Sequence, residues 1–144
     1  MWDQRHWLVL ASAEGPDATA VENLRELLES HGLSTDAVQV PVIGGEATAI
    51  ESAWLGEGAH TPYLQVHNIS ANLEQCRLLF HIAVTARLLI GVEPGPPTAI
   101  ICGGVLDPED YFEDPGECCV VDTPEQLHDC LRGNADTYRY AREA

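Results

Sequence analysis

The stretch whose reading decides the fold is Asn72–Gly91, "NLEQCRLLFHIAVTARLLIG". Asn72 is a strong N-cap, because its side-chain oxygen can accept from a free N–H of the first helical turn. Gln75 lies three residues on, where its side chain can reach back to the cap's own N–H and complete a capping box. Apolar residues continue to Ile90, and Gly91 offers the conformation that ends helices. The spacing predicts one long helix from Leu73 to about Ile90. Covered by a sheet and its neighbours, such an apolar helix is core; with one side bare, it is a homodimer interface.

Immediately before it, "YLQVHNI" (Tyr63–Ile69) reads as a strand. Further back, "HWLVLAS" (His6–Ser12) is an apolar run with the character of a buried first strand. Asp17 caps a helix from Ala18 to His31 whose Val21, Leu24, Leu27 and Leu28 share one face, with Gly32 behind it. "AVQVPVI" (Ala37–Ile43) suits a strand near a sheet edge, since Pro41 cannot donate to a ladder. Gly44-Gly45 ends it, and "EATAIESAWL" (Glu46–Leu55) reads as a short helix. Downstream, Thr98–Gly104 and Cys118–Asp122 read as short apolar strands. Between them runs a long acidic connection, Val105–Glu117. Thr123, Pro124 and Gln126 open a helix to Leu131, and a polar helical tail follows over 134–144.

Strands and helices therefore alternate, and several strands are apolar without alternation, as in strands buried on both faces. The expectation is a single α/β domain over 1–144 with its core at 6–133. It would be a doubly wound, mostly parallel, five-stranded Rossmann-like sheet with helices on both faces.

Charge narrows the partners. Seven basic residues face 23 acidic ones, for a formal net charge of −16, and all seven are arginine. Such a surface fits either adaptation to high salt or an acidic face that docks a basic partner. It disfavours DNA, RNA and anionic lipid, which need a cationic patch. The most apolar region, Leu78–Val92, is interrupted by His81, Thr85 and Arg87 and is too short to span a membrane. No secretion signal is legible at the amino end, so a cytoplasmic protein is expected. The five cysteines, Cys76, Cys102, Cys118, Cys119 and Cys130, are odd in number and form no C-x-x-C. They are expected to be reduced, buried and small, with no metal and no cofactor. Cys118 and Cys119, adjacent in a strand, should point to opposite faces.

In a doubly wound sheet, ligands sit beyond the carboxyl ends of the strands. That rule nominates Ser12 and Glu14 after the first strand, Asn68, Ser70 and Asn72 after Tyr63–Ile69, and Gly103 and Gly104 after the strand at Ile101. The loop at Ser12–Asp17 is neither a dinucleotide fingerprint nor a Walker loop, and its acids would repel phosphate. His67 and Glu74 are the acid–base candidates. Glu74, Arg77, His81 and Thr85 share one helix stripe. No nucleophile elbow and no H-E-x-x-H pair is present.

The run "NISANLE" (Asn68–Glu74) resembles in outline the polar turns of two Rossmann-like groups. In nucleotide-sensing CARF-type domains a strand runs into an N-x-[ST] turn. In the TIR and deoxyribosyltransferase-like group an Asn and a Glu near a helix start serve nucleotide chemistry. The Gly-Thr-rich portion of the first group is missing here, and no family is assigned. The expected function is association with a protein partner or with a second copy. The alternatives are a small-molecule or nucleotide sensor at the strand ends, and an enzyme on a nucleotide-like metabolite using Glu74 and His67.

Overall fold

The computed structural model describes residues 6–12, 17–33, 38–51, 61–69, 71–93, 99–104 and 118–131. In chain order they form β1 (His6–Ser12), α1 (Ala18–Ser30), β2 (Val38–Gln39), β3 (Val42–Ile43), β4 (Glu46–Ala47) and β5 (Ala49–Glu51). These are followed by β6 (Tyr63–Ile69), α2 (Leu73–Ala86), β7 (Leu88–Glu93), β8 (Ala99–Cys102), β9 (Cys118–Val121) and α3 (Pro124–Leu131). Seven strands make one sheet in the order β2-β5-β6-β1-β7-β8-β9, and β3 and β4 pair as a separate hairpin.

The expected mostly parallel, doubly wound sheet is overturned. Every neighbouring pair in the sheet is antiparallel except β8 and β9. β1 sits between β6 and β7 and runs against both. The two crossovers, β1-α1-β5 and β6-α2-β7, therefore each straddle a strand of the other. This split β-α-β arrangement, with the order β7-β1-β6-β5, is ferredoxin-like. β8, β9 and α3 extend it at one side and β2 at the other.

Alternation of burial shows why one sheet face is covered. Leu8 and Leu10 of β1, Leu64 and Val66 of β6, and Leu88, Ile90 and Val92 of β7 are buried; their neighbours Trp7, Val9, Ala11, Gln65, His67 and Leu89 are only part-buried or exposed. The helices pack on the buried face, with α2 between α1 and α3. The apolar side of α1 (Val21, Leu24, Leu27, Leu28) is buried as its spacing predicts, and Asp17 Oδ1 accepts from Ala20 N at 3.0 Å. α2 is core: Cys76, Leu79, Ile82, Ala83 and Ala86 are buried.

Three elements depart from the sequence expectation, the first being the single strand expected over Ala37–Ile43, which divides into β2 in the main sheet and β3 in the separate hairpin. α2 ends at Ala86, with Arg87 in the left-handed region at φ 54° donating to Ala83, and Leu88–Glu93 is a strand. "LLIGVE" carries a two-residue alternation that a helix-period reading of the same apolar run overlooks. Glu46–Glu51 forms two short strands rather than a helix. Gly44 and Gly45, at φ 62° and 82°, make the two-residue turn between β3 and β4. Positive φ at both central residues matches the twist of a tight hairpin, which is why a Gly-Gly pair stands there. The remainder of the expected Glu46–Leu55 helix and the 134–144 tail lie outside the described residues. No helix among the described residues is long and apolar enough to cross a membrane.

Candidate functional site

The capping box at Asn72 forms as its spacing predicts. Asn72 Oδ1 accepts from Gln75 N at 2.9 Å, and Gln75 Oε1 accepts from Asn72 N at 2.8 Å. Both side chains then reach beyond the helix. Asn72 Nδ2 donates to the Ile43 carbonyl and to Glu46 Oε2, each at 3.1 Å, and Gln75 Nε2 donates to Thr48 Oγ1 at 2.8 Å. Gln75 and Thr48 are both buried, so their bond is made away from water. Thr48 N closes the base of the hairpin on Pro41 O at 2.8 Å. The start of α2 is therefore a clamp on the β3–β4 hairpin, and the polar atoms of Asn72 are committed to it.

The clamped hairpin forms one side of a groove of about 700 Å³ over the outer face of α2. Pro41, Val42, Ile43 and Gly44 of the hairpin line it, with His31 and Leu33 from the end of α1 and Pro124 from the start of α3. Along α2 it is lined by Glu74, Arg77, Leu78, Phe80 and His81. The first three members of the helix stripe read from the sequence thus border this groove. Arg77 is paired with Glu74 one turn away and lies 3.9 Å from Glu125 of α3, so one cation faces two carboxylates at the rim, beside the apolar Leu78 and Phe80. Val42 is 73% exposed and Val40, just before the hairpin, 58%. With Trp7 on the other sheet face, these are the large hydrophobic residues left exposed among the described residues.

The residues nominated from strand ends do not converge. β1 and β6 are antiparallel, with Leu8 opposite Val66 and Ala11 opposite Tyr63, so Ser12 and Asn68 lie at opposite ends of the sheet. Gly103 and Gly104 follow β8 at the Ser12 end, separated from β1 by β7. Gly103 has a structural reason to be glycine: its φ is 65° and a methyl there would come within 2.9 Å of Val84. Glu14 and Ser70 lie outside the described residues, as does the side chain of Asn68.

His67 and Glu74 are not brought together either. His67 lies on the sheet face away from the helices, where its Nε2 is 2.9 Å from Glu51 Oε2 and its ring is 4.5 Å from that of Trp7. On the same face Trp7 Nε1 donates to Gln65 Oε1 at 3.1 Å and Gln65 Nε2 donates to the Tyr63 hydroxyl at 2.8 Å. Glu74 stands across the sheet, on the solvent side of α2. The separation has a measurable consequence. His67→Ala should cost about 1 kcal/mol through its lost hydrogen bond and ring contact, and Glu74→Gln less than about 0.5 kcal/mol as an exposed pair. In urea denaturation the double variant should equal the sum within about 0.5 kcal/mol; coupling above about 1 kcal/mol would show that the two share a site after all.

All five cysteines are thiols rather than disulfides, and all are buried. Cys119 points to the helix side, where its sulfur meets that of Cys130 in α3 at 3.5 Å, while Cys118 alternates to the other face. Burial pushes the Cys118 thiol up to about 12, with Cys119 adding to the shift and a hydrogen bond to the Ile101 backbone opposing it. Burial raises Cys102 further still, aided by Cys76, Cys119 and Cys118. No group of three or more His, Cys, Asp or Glu among the described residues could hold a metal ion.

The walls of the groove were missed by sequence reasoning. The available signal was "VIGGEA", a Gly-Gly pair between two short β-prone segments. Compared with known proteins, the chain matches no family model, no curated protein and no solved structure.

Proposed function

We propose that the protein is an association module that holds an apolar segment of a partner protein in the groove between the β3–β4 hairpin and α2. The observation that carries this is the open apolar hairpin: Val42, 73% exposed, stands at the edge of a groove whose floor includes Phe80 and Leu78. Exposed apolar area continuous with a cleft gains free energy by being covered, and a segment inserting apolar side chains covers it. The partner segment is basic at its flanks. A chain with a net charge of −16 steers such a segment toward itself over several ångströms and repels acidic ones.

Peptide selection tests this reading. A displayed random-peptide library is panned on the wild-type protein, with Val42→Asp as the counter-target. Val42 is too exposed for the substitution to cost much fold stability. Enriched peptides should combine apolar residues with flanking Lys or Arg, bind Val42→Asp at least tenfold more weakly, and weaken as salt is added. Peptides that bind the variant equally well, or no enrichment at all, would remove the proposal.

A second reading has its own support. The groove volume of about 700 Å³ falls in the range of small-ligand sites. A small molecule retained through gentle purification and lost from the Val42→Asp protein would favour it over the peptide reading.

A further inference from the structure

Cys119 and Cys130 are a matched pair that no groove function uses. Cys119 lies in β9, an edge strand of the sheet, and Cys130 is on the buried side of α3 beside Leu127 and Leu131. Their sulfurs are already in contact at 3.5 Å, and both side chains are essentially inaccessible. Closing that distance to a covalent S–S bond of about 2.05 Å needs a shift of under 2 Å, which side-chain rotation and a small movement of one helix can supply. The helix is short, eight residues, and packs on both α2 and β9. Brief local opening of a short helix is the ordinary way buried groups meet solvent.

We propose that Cys119 and Cys130 are a modification site, joined by a peroxide into a disulfide that staples α3 to the edge of the sheet. The chemistry balances with one equivalent of peroxide. One cysteine, as thiolate, attacks a peroxide oxygen and breaks the O–O bond, leaving a sulfenic acid and releasing an alcohol or water. The second cysteine, as thiolate, attacks the sulfenic sulfur, forms the S–S bond and expels the hydroxyl, which leaves as water. Two thiols are oxidised and the peroxide is reduced. The staple closes a short loop and removes freedom from the unfolded chain, so it raises the melting temperature. This inference stands apart from the groove reading.

The test treats the fully reduced, full-length protein with hydrogen peroxide. The product is then denatured, alkylated with N-ethylmaleimide and weighed intact. The expected product has lost about 2 Da before alkylation and carries two fewer adducts than the five of the reduced chain. Proteolysis should yield one cross-linked pair of peptides containing Cys119 and Cys130. Dithiothreitol should restore both missing adducts, and the oxidised form should melt about 5–10 °C higher. Cys130→Ser should abolish the mass loss. Should that variant fail to fold, the peptide map of the wild type decides alone. Retention of all five reactive thiols, or a bridge mapping to any other pair, would overturn the proposal.

Discussion

Replacing Asn72 with alanine should destabilise the protein by about 2–4 kcal/mol, a fall in melting temperature of roughly 6–15 °C for a chain of this size. The figure is built from separate losses. Removing the N-cap oxygen from Gln75 N costs about 1 kcal/mol. The Nδ2 bonds to the Ile43 carbonyl and to Glu46 hold the hairpin, and their loss adds about 0.5–1.5 kcal/mol each. Asn72→Asp separates the two roles. It keeps an acceptor for Gln75 N but loses the donor to the hairpin and sets a carboxylate beside that of Glu46. It should cost about half as much, and part of the cost should return on adding salt, which screens the new repulsion. Guanidinium denaturation of the three proteins checks this. An alanine variant within about 0.5 kcal/mol of wild type would show that the hairpin is held by something other than the clamp.

Gly44→Ala should cost a similar amount, about 2–4 kcal/mol, for a linked reason. Its φ of 62° is strained for any residue with a Cβ, which accounts for about 1–2 kcal/mol. The remainder is a collision. A methyl on Gly44 would sit 2.7 Å from Asn72 Cγ and 2.8 Å from its Nδ2, closer than real contacts allow. Asn72 cannot simply swing away, because both ends of its amide are engaged. The origin of the cost can be isolated with a double-mutant cycle. In an Asn72→Ala background the collision partner is gone, so Gly44→Ala should cost only its backbone strain. The coupling should exceed about 1 kcal/mol, and purely additive costs would mean that strain alone explains the glycine. Both variants loosen the wall that carries Val42 and Ile43, so both should also weaken any peptide selected on the groove.

The clamp gives these two positions a shared structural role that neither has in the sequence, where Asn72 is also a strand-end ligand candidate. Asn72 reads there as a helix cap, and Gly44-Gly45 as the end of a strand. Folded, the cap lies against the turn, and the groove exists because a helix start and a hairpin hold each other. The polar stripe of α2 changes meaning in the same way. Glu74, Arg77 and His81 share a face by helical periodicity alone, but only the hairpin and the end of α1 turn that face into the border of a cleft.

What the sequence by itself determined is local. Asp17 and Asn72 start helices because a short polar side chain can satisfy the N–H groups within three residues of it. α3 begins at Pro124 after Thr123, whose Oγ1 accepts from Gln126 N at 3.1 Å, for the same short-range reason. The apolar face of α1 follows from a period of 3.6, and the strands at His6–Ser12 and Tyr63–Ile69 from short apolar, β-prone runs, though β1 alternates in burial where its sequence predicts burial on both faces. What only the tertiary structure decided is pairing. Whether β6 lies beside a parallel or an antiparallel neighbour depends on which distant strand fills the space, and β1 enters between β6 and β7 from more than fifty residues away. That insertion makes the sheet antiparallel, sends Ser12 and Asn68 to opposite ends, and leaves His67 and Glu74 on opposite sides. It also decides where α2 stops. The run Leu88–Ile90 is apolar enough to continue a helix, but β1 offers it a ladder, with Leu88 opposite Ser12 and Ile90 opposite Leu10. Those backbone hydrogen bonds and the burial of Leu88, Ile90 and Val92 outweigh the local helical tendency, because tertiary contacts contribute more per residue than propensity does.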